Sequence, residues 1–279
     1  MKNITTILKV LLWFVKENFL NVLSLLVSVL LVVSGSIGEM ERSQLIFFDI
    51  GQGDAILVQK ERFQILIDGG PDDSIVYKLP RYMPWFDNYI DVVVLTHPHD
   101  DHLVGILHLL SRYEVGKILY NPTMANNQNY DYLLAEYENL LTPVSYRYLV
   151  EYGDLSLKIL YPFDINDAQS SNLNNESLVA LLEVDDYRIL LMGDAEVEVE
   201  EELLGEDLGE IYMLKVGHHC SRTSTSEMFL KTVSPEVAIC SVGRENKFGH
   251  PHYETIEKFS RYNVQYLVTY EEGDIVIKF

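Results

Sequence analysis

Hydrophobic and polar positions divide the chain near residue 38. Residues 19–33 are almost wholly apolar, broken only by Asn21, Ser24 and Ser28. Beyond residue 38 the pattern changes to short alternating runs. Residues 44–50, 55–59 and 63–68 read as strands separated by glycine-containing turns, an antiparallel meander. Residues 91–96 form a continuous apolar strand, and 103–113 and 130–141 carry apolar residues at helical spacing. Strands return at 157–161, 177–184 and 187–192, the last two joined at Asp185 and Asp186. Residues 196–204 predict an acidic, solvated helix. Strands at 211–216 and 236–241 are each followed by a helix, at 226–232 and 253–262. Two halves of strands followed by strand-helix units, with no low-complexity linker, predict an α/β sandwich with sheets inside and helices outside.

The first apolar run, extended through Ser34 to Ile37, approaches the roughly 20 residues of a membrane span. Lys2, Lys9 and Lys16 before it predict a cytoplasmic N-terminus. The expected organisation is an N-terminal anchor, residues 1–37, followed by a globular domain, 38–279, on the far side of the cell membrane. The small residues Ser34, Gly35 and Ser36 leave as the alternative a cleaved signal segment and a secreted domain.

Charge narrows the partners. Lys and Arg number 21 against 42 Asp and Glu, a formal net charge of −21, which excludes a broad basic nucleic-acid-binding face. Bound divalent ions can still hold a phosphate, because they reverse the local field. The only cysteines, Cys220 and Cys240, rule out a disulfide-rich scaffold and a four-cysteine zinc site. Both follow predicted strands; two packed thiols are expected, with a disulfide the open alternative.

Candidate chemistry starts where the strand at 91–96 ends. His97 and His99 stand two apart and project to one side if the backbone stays extended, so they can chelate one ion. Asp101 and His102 open the next helix, where the turning chain can direct both to a second ion. Imidazole and carboxylate suit zinc or manganese, and two ions roughly 3.5–4 Å apart can clamp both oxygens of a displacement.

The run His97-x-His99-x-Asp101-His102 resembles the signature of the metallo-β-lactamase fold superfamily. Residues 48–55 (FDIGQGDA), 66–70 (LIDGG), 174–179 (NNESLV), 192–196 (MGDAE), 215–226 (KVGHHCSRTSTS) and 246–251 (NKFGHP) further resemble the hydrolase domain of ComEC-type DNA-internalisation proteins. The resemblance runs from about Gln44 to the C-terminus and implies a four-layer αββα sandwich, here preceded by the N-terminal transmembrane helix.

It also implies roles. Asp194 resembles the carboxylate that bridges both ions. His218 or His219 resembles the late histidine ligand of the second ion; His218 is assigned to metal and His219 to substrate contact or proton donation, although sequence does not choose between them. Asp68 resembles an aspartate that braces the histidine-rich loop without binding metal. Asp54 and Gln52 either do the same or shape the turn at Gly51 and Gly53. His250 is placed near the site mouth, either against substrate or metal or in a structural loop role, whereas His252 and His108 are expected to be plain surface or helix residues. Ser221, Thr223, Ser224 and Thr225 offer either a phosphate site or, more simply, a helix cap.

Two departures qualify the resemblance. The superfamily commonly supplies a further histidine before the bridging aspartate, where this chain has Asn172, Leu173, Asn174 and Asn175. Cys220 stands where the pattern usually has glycine. The implied function is a membrane-anchored binuclear hydrolase of phosphodiesters, with His97, His99, Asp101, His102, Asp194 and His218 as ligands of two zinc or manganese ions. Asp101, Asp194, His219 and His250 carry the catalytic roles, and single-stranded DNA is the substrate suggested. The rivals are a hydrolase of a small envelope phosphodiester, of phosphocholine or teichoic-acid type, and a non-catalytic binding module that retains metal.

Overall fold

The computed structural model of the protein describes residues 6–7, 9, 13, 16–40, 43–84, 86–164 and 171–279. The chain divides into two compact units, Met1–Arg42 and Ser43–Phe279. In the first, helix α1 spans Phe19–Met40. Among the described residues no helix is long and apolar enough to cross a membrane. The expected transmembrane anchor, and with it the placement at the cell membrane, is corrected accordingly. Asn21, Ser24 and Ser28 interrupt the apolar run of residues 19–33 within α1. What remains falls short of the roughly 20 apolar residues a span requires.

The second unit is built on two seven-stranded sheets. One contains β1 (Ser43–Phe47), β2 (Ile56–Lys60), β3 (Phe63–Ile67), β4 (Tyr89–Leu95), β5 (Glu114–Tyr120), β6 (Leu141–Pro143) and β14 (Ile275–Lys278), in the order β14-β1-β2-β3-β4-β5-β6. The other contains β7 (Leu149–Tyr152), β8 (Leu155–Tyr161), β9 (Val179–Val184), β10 (Tyr187–Leu191), β11 (Met213–Lys215), β12 (Val237–Cys240) and β13 (Gln265–Val268), in the order β13-β12-β11-β10-β9-β8-β7.

Strand alternation sorts the side chains into layers. Leu45, Phe47, Val58, Ile65 and Val94 of one sheet meet Leu157, Leu182, Ile189 and Leu191 of the other in the central core. The intervening positions face outward. Ile46, Leu57, Leu66 and Val93 lie under α2 (Ser74–Lys78), α3 (Asp100–Leu110) and α4 (Gln128–Glu136), through Ile75, Leu103, Ile106 and Leu133. Leu181, Leu190, Leu214 and Ala238 lie under α5 (Val197–Leu203), α6 (Glu227–Val233) and α7 (Tyr253–Arg261), through Val199, Phe229 and Phe259. The result is the four-layer αββα sandwich, completed by the short helix α8 (Thr269–Glu272).

The strands that carry site residues run parallel within each sheet: β3 beside β4, and β10, β11 and β12 together. Their C-terminal ends open on one rim, where Leu178 N–H donates to the Thr96 carbonyl across the two sheets at 2.9 Å. Helix α3 starts there and is clamped to the end of β3. Gly69 N–H donates to the His102 carbonyl at 2.8 Å and Gly105 N–H to the Gly70 carbonyl at 2.9 Å. A Cβ at Gly105 would overlap the Gly69 carbonyl, so backbone must approach backbone here. Gly105→Ala should therefore cost about 2 kcal/mol of unfolding free energy by overpacking, measured by urea denaturation. A loss below a few tenths would show that α3 can retreat freely.

Candidate metal centre

Asp68 follows β3 directly, at φ 58°, and is fully buried. Its Oδ1 accepts from Thr96 N–H at 2.8 Å and its Oδ2 from the Thr96 hydroxyl at 2.7 Å. The same Oδ2 lies 2.7 Å from His102 Nδ1. One carboxylate thus fixes both the end of β4 and the ring of His102, leaving His102 Nε2 buried without a hydrogen-bond partner. His97 and His99 leave β4 together, with His97 Nε2 2.9 Å from His99 Nδ1. Asp100, on the outer side, is held by the amides of Asn127 and Asn129, at 2.9 and 3.0 Å.

Asp194 enters from the opposite sheet, just after β10, and its Oδ2 is the common neighbour of three imidazoles. His219 Nε2 lies 3.3 Å away, His102 Nε2 3.4 Å and His97 Nε2 3.8 Å. Asp101 Oδ2 stands 3.5 Å from His219 Nε2. Asp194 Oδ1 and His219 Nε2, like His102 Nε2, are buried and have no hydrogen-bond partner. Buried polar atoms left unmatched are costly unless something else satisfies them. Among the described residues, four overlapping groups have ligand atoms mutually within 4.8 Å: His97, His102 and Asp194; Asp101, His102 and His219; Asp54, Asp68 and His102; and Asp54, Asp194 and His219. This donor set of imidazole nitrogen and carboxylate oxygen suits a transition-metal dication.

The turn after β11 decides between the two late histidines. His218, His219 and Cys220 all take left-handed backbone, at φ 46°, 53° and 60°. Each such non-glycine residue costs on the order of 1–3 kcal/mol. The turn sends His219 inward, where its Nδ1–H donates to the Ser241 carbonyl at 2.9 Å and its Nε2 faces Asp194. His218 points to the mouth instead, with Nδ1 2.8 Å from Glu196 Oε1 and 3.2 Å from the Thr223 hydroxyl. Geometry thus brings His219, and not His218, to Asp194 and Asp101, the reverse of the order in which the metal and substrate roles were expected. Asn174, in the segment without a histidine, donates to Glu196 Oε1 at 2.8 Å and lies on the same wall as His218.

Asp54 is buried behind His219, with Oδ1 3.5 Å from His219 Nδ1 and Oδ2 2.5 Å from Lys215 Nζ. Gln52 sits at the rim, where its Oε1 accepts from Gly243 N–H at 3.3 Å. His250, 7% exposed, lines the mouth, packed between the rings of His218 and His252 with Phe248 stacked on it. His252 accepts from Arg222 N–H through Nδ1 at 3.0 Å, and His108 is exposed on α3. A cavity of about 350 Å³ opens above the cluster, lined among others by His99, Asp101, Asn174, His218 and Phe248. A larger hollow of about 540 Å³, beside Tyr187, Glu210 and Tyr212, contains no histidine.

Of the two readings of Ser221, Thr223, Ser224 and Thr225, the helix cap falls instead to a neighbouring residue, and the backbone at the helix start is already engaged. The buried carboxylate of Glu200 already takes the backbone N–H groups of Thr225 and Ser226, and Ser226, not one of the four residues proposed, caps α6 through Phe229 N–H at 3.2 Å. Glu196 and Glu200 are buried members of the helix expected to be solvated. Cys220 and Cys240 form a disulfide, with Cα atoms 5.5 Å apart, so the packed-thiol expectation gives way to its alternative.

Electrostatics follow from this packing. Burial opposes the charge on Asp194, but His219 and His102 hold its carboxyl well below the usual range. Burial likewise opposes protonation of His102 and His219, yet the carboxylates around each, Asp194 foremost, hold both imidazoles well above their ordinary value. His97 is pushed well below it by burial and by the neighbouring His102. At His250, burial and the charge on His219 and His218 lower the value to about 4.

Sequence reasoning missed Thr96, Glu196, Lys215 and the Ser241 carbonyl as supports of this centre. A lysine inside an apolar strand end was the one available signal.

Residues 48–244 match the metallo-beta-lactamase superfamily. The chain is 31% identical over 235 residues to Recombination protein 2 of Haemophilus influenzae, covering 83% of this chain and 28% of that protein. It is 28% identical over 258 residues to ComE operon protein 3 of Bacillus subtilis, covering 83% of this chain and 32% of the relative. It thus spans less than a third of these relatives' length. Among solved structures, the metallo-beta-lactamase fold protein YhfI of Bacillus subtilis superposes with a TM-score of 0.56 at 12% identity, over 85% of this chain and 100% of that one. Family match, sandwich and histidine-aspartate cluster agree, and the chain belongs to the metallo-β-lactamase superfamily of metal-dependent hydrolases.

Proposed function

We propose that the protein is a binuclear phosphodiesterase that cleaves nucleic acid, with zinc or manganese as its ions. The observation that carries the binuclear reading is the approach of His102 Nε2 and His219 Nε2, both buried and unmatched, to Asp194 Oδ2 at 3.4 and 3.3 Å, with His97 on one side and Asp101 on the other. His97, His99 and Asp194 would hold one ion, and Asp101, His102, His219 and Asp194 the other. When bound, such ions supply Lewis acidity and make a water acidic enough to attack at neutral pH.

The chain's own residues do the rest. Asp68 fixes the Nδ1 side of His102, and the Ser241 carbonyl that of His219, so each presents Nε2 inward. His218, Asn174 and His250 form the facing wall and can donate hydrogen bonds to a phosphoryl oxygen or leaving group in the cavity. Support for the phosphodiester comes from the relative named Recombination protein 2, since recombination acts on DNA. With a charge of −21, the chain would bind nucleic acid at the centre and not along a basic face.

The test is metal analysis of the purified chain, followed by assays with added zinc or manganese on single-stranded DNA, RNA and small non-nucleotide phosphodiesters. Cleavage of nucleic acid that disappears in Asp194→Ala, with the fold intact, is expected. Cleavage of only the small diesters would favour an envelope substrate, and metal retention without any hydrolysis would leave a binding module.

Metal uptake should depend on pH with a definite sign. His102 and His219, raised well above their ordinary value, hold protons in the metal-free protein at neutral pH, and an incoming ion must displace them. Apparent affinity should therefore rise as pH rises from 6 to 8, with protons released in calorimetric titrations run in buffers of different ionisation enthalpy. Affinity that falls with pH would contradict the ligand assignment.

A further inference from the structure

Three consecutive non-glycine residues in left-handed backbone are unusual, because the Cβ of an L-residue crowds the following carbonyl. In this turn the first two are the late histidines and the third is Cys220, whose sulfur is bonded to Cys240. Both cysteines are fully buried, and the disulfide joins the end of β12 to the residue just after His219. Beside it runs a second link between the same segments, from His219 Nδ1–H to the carbonyl of Ser241, at 2.9 Å. The covalent bond between residues 220 and 240 therefore lies next to the hydrogen bond between 219 and 241.

The disulfide adds little to strand pairing. Its cysteines are 20 residues apart, and β11 and β12 are already registered, Met213 on Val237, Leu214 on Ala238 and Lys215 on Ile239. Cys220 lies five residues beyond the last of these pairs, in the turn that the ladder does not reach. There the bond opposes the relaxation of Cys220 to right-handed backbone, which would swing the preceding ring away from Asp194 and Asp101.

We infer that the Cys220–Cys240 disulfide is a positioning element for His219, holding the left-handed turn that aims its Nε2 into the metal centre. The inference rests on the metal-centre reading above. Without the bond, a Cβ at position 220 penalises the turn; with glycine there, the turn is accessible without the bond.

The experiment compares the full chain with two variants that both lack the disulfide, Cys220→Ala/Cys240→Ala and Cys220→Gly/Cys240→Ala. Each is stripped of metal and titrated with Co²⁺, following binding by calorimetry and the visible absorption of the bound ion, with melting temperature recorded in parallel. In the alanine pair one binding step should weaken at least about tenfold, with a changed absorption spectrum. The glycine pair should bind within about threefold of the parent, although its melting temperature also falls for lack of the cross-link. Failure of the alanine pair alone to fold, with the glycine pair folded and binding normally, supports the same conclusion. Equal binding by parent and both variants overturns it, as does an equal loss in both or failure of both to fold, since the bond would then serve only the fold. No Co²⁺ binding by the parent would instead sink the metal-centre reading itself.

Discussion

Replacing Asp194 by asparagine is expected to reduce hydrolysis by at least about a thousandfold and to leave the fold intact. The substitution keeps shape and removes one charge. That charge is the common neighbour of His97, His102 and His219, so all three imidazoles lose their shared anion at once. Asparagine offers one neutral oxygen, a weak ligand, and a nitrogen that donates where the site needs an acceptor. Metal content should drop from two ions per chain to one or none. The electrostatics predict a further sign. Asp194 is the leading group that raises His102 and His219, so both imidazoles should titrate lower in the metal-free variant, visible as a downward shift in their NMR titrations. Hydrolysis within tenfold of the parent, at full metal content, would remove Asp194 from the centre.

How much of this was legible in the sequence depended on the range over which each feature is determined. The run from His97 to His102 was readable because its ligands are set by one strand end and one helix start, both local. The strands of the central core were readable from alternation, whereas β5, β6, β7, β13 and β14 were not. Gly116 and Lys117 break the apolar pattern of β5, β6 and β7 have only three and four residues, and β14 pairs with β1 from the other end of the chain. The choice between His218 and His219 was hidden for another reason: an extended strand would alternate them, and the left-handed turn replaces that rule. Glu196 and Glu200 were misread because their acidic neighbours suggested a solvated face, while burial depends on Asn174, His218 and the 225–226 backbone, which are distant in sequence. The apolar segment at residues 19–33 reads as a span by length and composition, but no described helix is long and apolar enough to cross a membrane.

Lys215→Met should destabilise the metal-free protein by about 3–5 kcal/mol at neutral pH, the usual result of leaving one member of a buried ion pair alone. Lys215 is fully buried, and its ammonium donates to Asp54 Oδ2 at 2.5 Å and to the carbonyls of Gly193 and Val216, at 3.2 and 3.0 Å. It thereby ties the turn before β2 to the residue preceding Asp194 and to the start of the His219 turn. Burial pushes the Asp54 carboxyl up, but Lys215, with His219, holds it down at about 2, against an ordinary value of 3.8. That difference corresponds to stability on the order of 2 kcal/mol, present above the ordinary value and lost as pH falls through about 2. In the methionine variant the leading stabiliser of the charge is gone and burial dominates, so Asp54 should titrate above its ordinary value. Its carboxyl then takes up a proton on mild acidification, which relieves the variant but not the parent. The stability gap between the two should accordingly be widest near pH 7 and narrow toward pH 4, measured by urea unfolding. Adding Asp54→Leu to Lys215→Met removes the orphaned charge and should recover most of the loss, since a buried pair replaced by apolar groups is often tolerated. A gap that widens on acidification, or a double variant no more stable than the single, would show that Lys215 acts through its two carbonyl contacts and not through Asp54.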